Sequence, residues 1–386
     1  MTPNAHRVVI TGVGAISALG ATPEALWEGL LAARSGVRRL PRFVDEGLSV
    51  TTGGEVEAVP HDRPDRDHLI AGHAMEQALA AAAWQPEEVG FVWATGLDTF
   101  QVCAEGLVLR SAGSCFNTLA APFGRPRRMI ATACASSTQA IGEAFRQIRD
   151  GRAEACLAGG SSVMLTPFYL LGFAGLQAIA TDQEGDDPTA ACRPFDRRRR
   201  GFALGDGAGA LVLETLESAQ RRGAPVLAEV LAFGVSQDAF DLNRPPEDGA
   251  GAEHCMRRAL ADGGLTPADI DAVNAHGTGT FVGDPAEAAA LRRLFGDAWK
   301  RTPVSSAKGA IGHAMAAAGA LEAIVAVQTC RTGLVPPTVN LRDPDEDCAL
   351  DHVIGEPRQT DARSVMSISF GMGGQNAAVV FRRWID

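Results

Sequence analysis

One pattern of apolar and polar positions occurs twice along this chain. From Met75 to Gly96 it reads as an amphipathic helix, a Pro-started turn and an apolar strand that stops at a glycine; Met256 to Gly277 repeats those parts in order. With position 75 set on 256, an offset of 181, Met, Ala-Leu-Ala, Pro, a β-branched residue, Val, Ala and Gly coincide without a gap. A looser pair is Leu204–Leu213 and Phe370–Val380, each a glycine turn running into an apolar strand. Arg7–Gly14 reads as a buried strand ending in a glycine turn, and helical and short apolar segments alternate from there on. The pattern predicts a layered α/β chain made by internal duplication, with residues 1–222 as one half and 223–386 as the other. The join falls near Gln220–Pro225, a charged, turn-forming stretch.

Composition narrows the picture. A chain of 386 residues suits two domains or one large duplicated one, and 46% hydrophobic with 21% charged residues is a globular balance. With 43 Gly and a single Tyr, tight turns and close backbone packing are expected. A net charge of −11 argues against general nucleic-acid binding. No basic-then-apolar leader and no bilayer-length apolar run is present, so a cytoplasmic protein without a membrane partner is expected. The glycine runs do not complete a nucleotide site. Gly12-Val-Gly14 lacks the third glycine of a dinucleotide fingerprint, and no GxxxxGK[ST] occurs.

Eight cysteines stand at 103, 115, 134, 156, 192, 255, 330 and 348, none in a CxxC pair. Seven read as small buried apolar residues. Cys134 differs, because an apolar approach precedes it and Ala140, Ile141, Ala144, Phe145 and Ile148 follow at helical spacing. That places it at a strand-to-helix junction, where free N–H groups and the helix dipole favour a thiolate. The junction alone leaves a nucleophile and an inert buried thiol both open. His276, in Asn-Ala-His-Gly-Thr-Gly-Thr, ends the second repeated strand, and His313 lies among small residues in Lys308–Gly319. A thiol and two imidazoles suit thiolate chemistry with charge held on a carbonyl oxygen. The spacing fits no zinc pattern.

These segments resemble the β-ketoacyl-acyl carrier protein synthases, condensing enzymes of the thiolase superfamily. The markers are Thr132-Ala-Cys-Ala-Ser-Ser, Arg193-Pro-Phe-Asp, Gly201–Gly209, Asn274–Thr280 with Gly283-Asp284 and Glu287, Lys308 with Gly312-His313, and Phe370-Gly-Met-Gly-Gly. The resemblance implies a thiolase-like duplicated fold, layered α-β-α-β-α with two similar halves. It also implies an acyltransferase that joins an acyl group on Cys134 to malonyl-carrier protein with loss of CO₂, using no metal or organic cofactor. In that scheme the N–H groups of Cys134 and Met372 form the oxyanion hole, and His276 and His313 hold the enolate oxygen. Lys308 pairs with Glu287 to orient the site. Thr278 and Thr280 line the pantetheine channel, with Phe370 and Met372 at the acyl pocket. Asn274, Glu322, Ser367 and Asn376 match a structural monovalent-cation site of some relatives.

Two departures stand out. Met372 occupies the position of a gating Phe, and the chain between Gly96 and Cys134 looks shorter than in fatty-acid-making members. The expected partners are acyl carrier protein and a second ketosynthase-like subunit, as a homodimer or a heterodimer. Arg199, in the run Arg197–Arg200, is the expected carrier-docking residue, with Arg125, Arg127 and Arg128 as the other basic group. A non-catalytic chain-length subunit is the alternative; the intact Cys134, His276, His313 set speaks against it. A degradative thiolase would need a cysteine near the C-terminus, and none follows Cys348.

Overall fold

A computed structural model describes residues 5–96, 99–103, 106–183 and 185–385, with only the backbone for 99–103 and 106–110. Eleven strands join in one hydrogen-bonded sheet. They are β1 (Val8–Ile16), β2 (Gly90–Thr95), β3 (Arg127–Ile130), β4 (Ala155–Ser162), β5 (Gly207–Thr215) and β6 (Ala228–Gln237), then β7 (Ala272–Asn274), β8 (Pro303–Ser305), β9 (Asp351–His352), β10 (Ser364–Phe370) and β11 (Gln375–Arg383). The order across the sheet is β9-β8-β7-β10-β11-β6-β1-β5-β4-β2-β3. Outward from the β6–β1 seam, β1-β5-β4-β2-β3 on one side matches β6-β11-β10-β7-β8 on the other. Each run starts with antiparallel pairs and ends with parallel ones.

The helices that matter are α1 (Arg66–Ala82), α2 (Ser136–Arg149), α3 (Ala250–Gly263), α4 (Gly283–Phe295) and α5 (Ala318–Thr332). α2 and α5 touch strands of both halves and so lie between the two runs of this sheet, which form its two β layers. α1 packs on β1, β4 and β5, and α3 on β6 and β11, as outer layers. The result is the expected α-β-α-β-α stack. α5 is buried on all sides from Ala318 to Cys330, as its almost wholly apolar and small sequence requires. The two central helices cross closely: a Cβ on Gly319 would stand 2.0 Å from Thr138 Oγ1. The Ala320 N–H at the start of α5 donates to Ser137 Oγ at 2.9 Å, so α2 caps its counterpart.

The repeated pattern has a structural cause in each half. α1 and α3 both end on a left-handed residue, Ala83 and Gly264, and both run into a Pro-started turn closed by a capping box. The Leu204–Leu213 and Phe370–Val380 pair falls on β5 and β11, which hold equivalent places in the two runs. The sequence expectation fails at Gly12 and Gly14, which do not form a turn. β1 continues through them, and a Cβ at either would lie within 2.2 Å of a carbonyl of α1, so they let that helix close on the strand.

Candidate active site

Four strands deliver the site at their C-terminal ends. β3 leads to Cys134, β7 to His276, β8 to Lys308 and His313, and β10 to Phe370 and Met372. Cys134 sits in a single 3₁₀ turn (Ala133–Ala135) that opens α2. The turn starts on Ala133 at φ 50°, a left-handed residue that swings the chain from strand to helix. Ser136 Oγ secures it, accepting from the Thr132 N–H at 2.8 Å and donating to the Ala133 carbonyl at 2.6 Å. The Met372 backbone N–H favours negative charge on the Cys134 sulfur.

The thiolate expectation needs correction. Cys134 is only 5% exposed, and burial pushes its thiol up to about 11 against the pull of the Met372 N–H and the Lys308 charge. At neutral pH the resting group is therefore the thiol. The desolvation of the junction outweighs the backbone N–H groups and the Lys308 charge that favour the thiolate.

His276 and His313 meet edge to face, ring centroids 5.5 Å apart, with Phe370 against His276 and Phe202 against His313. Burial first, and then the Lys308 charge, holds both imidazoles well below their ordinary value, so both are neutral at neutral pH. The Met315 N–H donates to His313 Nδ1 at 3.2 Å, which leaves the His313 proton on Nε2. His276 Nδ1 is buried without a hydrogen-bond partner among the described residues.

The expected Lys308–Glu287 pair is not formed. Lys308 Nζ instead ion-pairs with Glu322 of α5 and donates to the His276 carbonyl at 2.6 Å. Glu287 of α4 accepts the N–H groups of His276 and Gly277, each at 2.7 Å, and burial pushes it up to about 8 against those two bonds. Lys308 and Glu287 thus hold the His276 backbone from opposite groups, carbonyl and N–H, rather than each other. Asp284, a motif residue whose role the sequence does not disclose, accepts from the N–H groups of Phe195, Thr278 and Gly279 and fixes the loop after His276.

Arg199 is also corrected. It is 5% exposed, paired with Asp345 at 2.5 Å, and donates to the carbonyls of Thr280 and Phe281. It is an internal clamp on the loop and cannot receive a partner's surface. The exposed members of the run are Arg197 and Arg198, with side chains 54% and 55% accessible.

A cavity of about 560 Å³ reaches Cys134, His276 and His313 past Thr278, Thr280, Phe281 and Met372. The two threonine hydroxyls lie 3.0 Å apart in its wall. For the cation set, Glu322 Oε2 and Ser367 Oγ are buried and unpartnered, and Asn274 donates to the Glu322 carbonyl at 2.9 Å. Those three fit a small cation. Asn376 donates from Nδ2 to Asp238 at 2.6 Å and to Ser236, which fixes the orientation of its amide. Elsewhere among the described residues, Asp67, His68 and Cys115 bring three possible metal ligands within 4.8 Å of one another, and none of them lines the cavity.

The family models for the beta-ketoacyl synthase N-terminal domain and C-terminal domain match residues 5–95 with 119–219, and 227–342. The chain belongs to the beta-ketoacyl synthase family. It is 37% identical to 3-oxoacyl-[acyl-carrier-protein] synthase 2 of Rhizobium meliloti (strain 1021), over 98% of this chain and 99% of that protein. Among solved structures it is similar to the ishigamide ketosynthase/chain length factor, with TM-score 0.86 and 32% identity over 99% of this chain and 100% of that one. It is also similar to a chain of AntDE:AntF, a type II PKS acyl-carrier protein in complex with its ketosynthase bound to the hexaketide. There the TM-score is 0.90 at 27% identity, over 98% of this chain and 100% of that one. As a beta-ketoacyl synthase this chain departs from its family at residues 96–118, which the N-terminal model leaves unmatched. The Rhizobium alignment is 422 positions long against 386 residues here, so that relative carries residues this chain lacks. Within the departing segment Thr99–Cys103 and Gly106–Arg110 pair as a hairpin, while residues 97, 98, 104 and 105 and the Cys103 side chain lie outside the described residues.

Proposed function

We propose that this chain is a catalytic β-ketoacyl-acyl carrier protein synthase in which Cys134 carries the growing acyl group. The observation that carries the reading is the convergence of Cys134, His276 and His313 on one cavity that Met372 also lines. Cys134 Sγ attacks an acyl thioester, and its proton leaves with the released carrier thiol. Malonyl-carrier protein then loses CO₂. The enolate oxygen takes hydrogen bonds from His276 and from His313 Nε2–H, which are neutral donors and so need no change of charge. The enolate carbon attacks the acyl-Cys134 carbonyl, the N–H groups of Cys134 and Met372 hold the oxyanion, and Cys134 leaves as the thiolate. Lys308, Glu322, Glu287 and Asp284 act as positioning residues around the His276 loop. Thr278 and Thr280 offer hydroxyls to the amides of the pantetheine arm, and Phe370 and Met372 bound the reacting centre. Glu322, Ser367 and Asn274 would hold a monovalent cation as a structural brace.

Support for a carrier-protein partner comes from the curated relatives, whose name includes it, and from the carrier complex of AntDE:AntF. The ishigamide ketosynthase/chain length factor supports pairing with a related subunit, and a homodimer is the other arrangement. A cytoplasmic location follows from carrier-dependent synthesis; no helix among the described residues is long and apolar enough to cross a membrane. Residues 1–222 and 223–386 are taken as the two halves, an assignment that the mirrored strand order supports. The alternative, a chain-length subunit without catalysis, is not favoured by a complete Cys/His/His set. Incubation with malonyl-carrier protein alone tests the histidine roles. CO₂ release should persist in Cys134→Ala and fall at least tenfold in His276→Ala and His313→Ala, a range expected for lost oxyanion donors. Equal release by all forms would remove the assignment.

A further inference from the structure

Cys134, Phe202 and Met372 line the cavity that brings substrate to the sulfur; among the described residues, Met164, Leu165, Leu170, Leu204 and Met315 do not. Those five belong with Cys134 to one packed apolar cluster. An acyl chain on Cys134 has two directions open to it, back along the cavity or into this cluster. On the condensing reading above, the malonyl thioester needs the cavity in the next step, so the acyl chain must enter the cluster. Met315 Sδ stands 3.7 Å from Cys134 Sγ, in contact with the atom that carries the chain.

Met315 is unusual in a second respect. It is 5% exposed and adopts φ 46°, a left-handed conformation costly for a residue with a side chain. Ala133, at φ 50°, holds the equivalent place in the other half, where it starts the 3₁₀ turn before α2 as Met315 starts the turn before α5. This backbone puts the Met315 N–H on His313 Nδ1 and its thioether on the nucleophile. A methionine is unbranched with three rotatable bonds and can leave such a place without moving the backbone.

We propose that Met315 is the acyl-length gate of this enzyme: its side chain fills the mouth of the acyl pocket in the unacylated state and must swing aside for any chain longer than a few carbons. The proposal rests on the condensing reading and adds a residue and a substrate property to it. Short acyl groups bind without displacing the thioether; long ones require the displacement.

The test uses the full chain with acetyl-, hexanoyl- and decanoyl-pantetheine, and mass spectrometry follows the rate of acyl addition to Cys134. Met315→Ala should raise the decanoyl-to-acetyl rate ratio about tenfold, and Met315→Phe should lower it by a similar factor, the scale of a pocket gaining or losing a methylene or two. Met315→Leu, which keeps the volume, should stay near the native ratio. A ratio unchanged across the three variants, with native protein acylated normally, overturns the gate and leaves the condensing reading standing. If no form gains acyl mass on Cys134, the condensing reading fails and the gate falls with it. Using a ratio keeps the result independent of the active fraction of each variant, and the Leu and Phe variants serve if the Ala variant does not fold.

Discussion

At Cys134 the chemistry is set by how little water reaches it. A thiol pushed up to about 11 is almost wholly protonated at neutral pH, and its thiolate fraction rises about tenfold per pH unit below that value. Alkylation of Cys134 by iodoacetamide, followed by mass spectrometry, should therefore climb tenfold per unit from pH 7 to 9 without levelling off. A plateau near pH 7 would mean a preformed thiolate. The histidines shift the other way. Because burial holds His276 and His313 well below the ordinary imidazole value, both remain neutral donors as the pH falls through 6.5. The pH profile of malonyl decarboxylation should show no acid limb near pH 6.5; a limb there would place a charged imidazole in the reaction. Lys308 and Glu322 carry the largest stability risk at this scale, since both side chains are buried and directly paired. Lys308→Ala leaves a buried carboxylate without its cation and should cost about 3–5 kcal/mol, read as a lowered Tm. Lys308→Met with Glu322→Leu should regain much of that loss.

At the scale of elements, the crossing of α2 and α5 determines whether Cys134 and His313 stay in register, because each residue sits just ahead of one of these helices. Gly319→Ala forces a Cβ against Thr138 and should cost about 1–3 kcal/mol by thermal melt, with activity falling alongside. An unchanged Tm would mean the helices part without strain. The run Arg197–Arg200 divides into inward and outward members. Arg199→Ala breaks a buried clamp on Thr280 and Phe281 and should lower Tm. Arg197→Glu with Arg198→Glu alters exposed groups, so Tm should hold while KM for a carrier-bound substrate rises and its salt dependence weakens. The division was not legible in four consecutive arginines, because burial depends on what α4 and the Asp343–Glu346 turn bring against them. The same limit applies to Lys308. Glu287 and Glu322 are both helical acids within reach in sequence, and only the stacking of α5 between the β layers chooses Glu322. By contrast, the helix–turn–strand repeat was legible, since each half uses the same local devices: a left-handed helix end, a Pro start and a capping box.

For the molecule as a whole, duplication is what builds the site. Cys134 and His313 occupy equivalent strand-to-helix connections of the two halves, and the two central helices bring those connections together between the β layers. His276 reaches the same cavity from the end of β7, the counterpart of β2. The chain differs from its family over 96–118, which flanks the edge strand β3 and leads toward Cys134. The family was readable from motifs, and so were Cys134, His276 and His313 as the residues that meet at the cavity, whereas the contact of Met315 with Cys134 depends on a left-handed backbone that no motif announces. The central claim, an acyl group carried on Cys134 and handed to a malonyl carbon, is tested by a two-step mass measurement. Protein is first loaded with an acyl-carrier thioester and then chased with malonyl-carrier protein. The expected result is an acyl mass on the Cys134 peptide, absent in Cys134→Ala, that disappears in the chase as a β-ketoacyl-carrier product and CO₂ form together. An acyl mass that stays on Cys134 through the chase, or one found on a different residue, would contradict it.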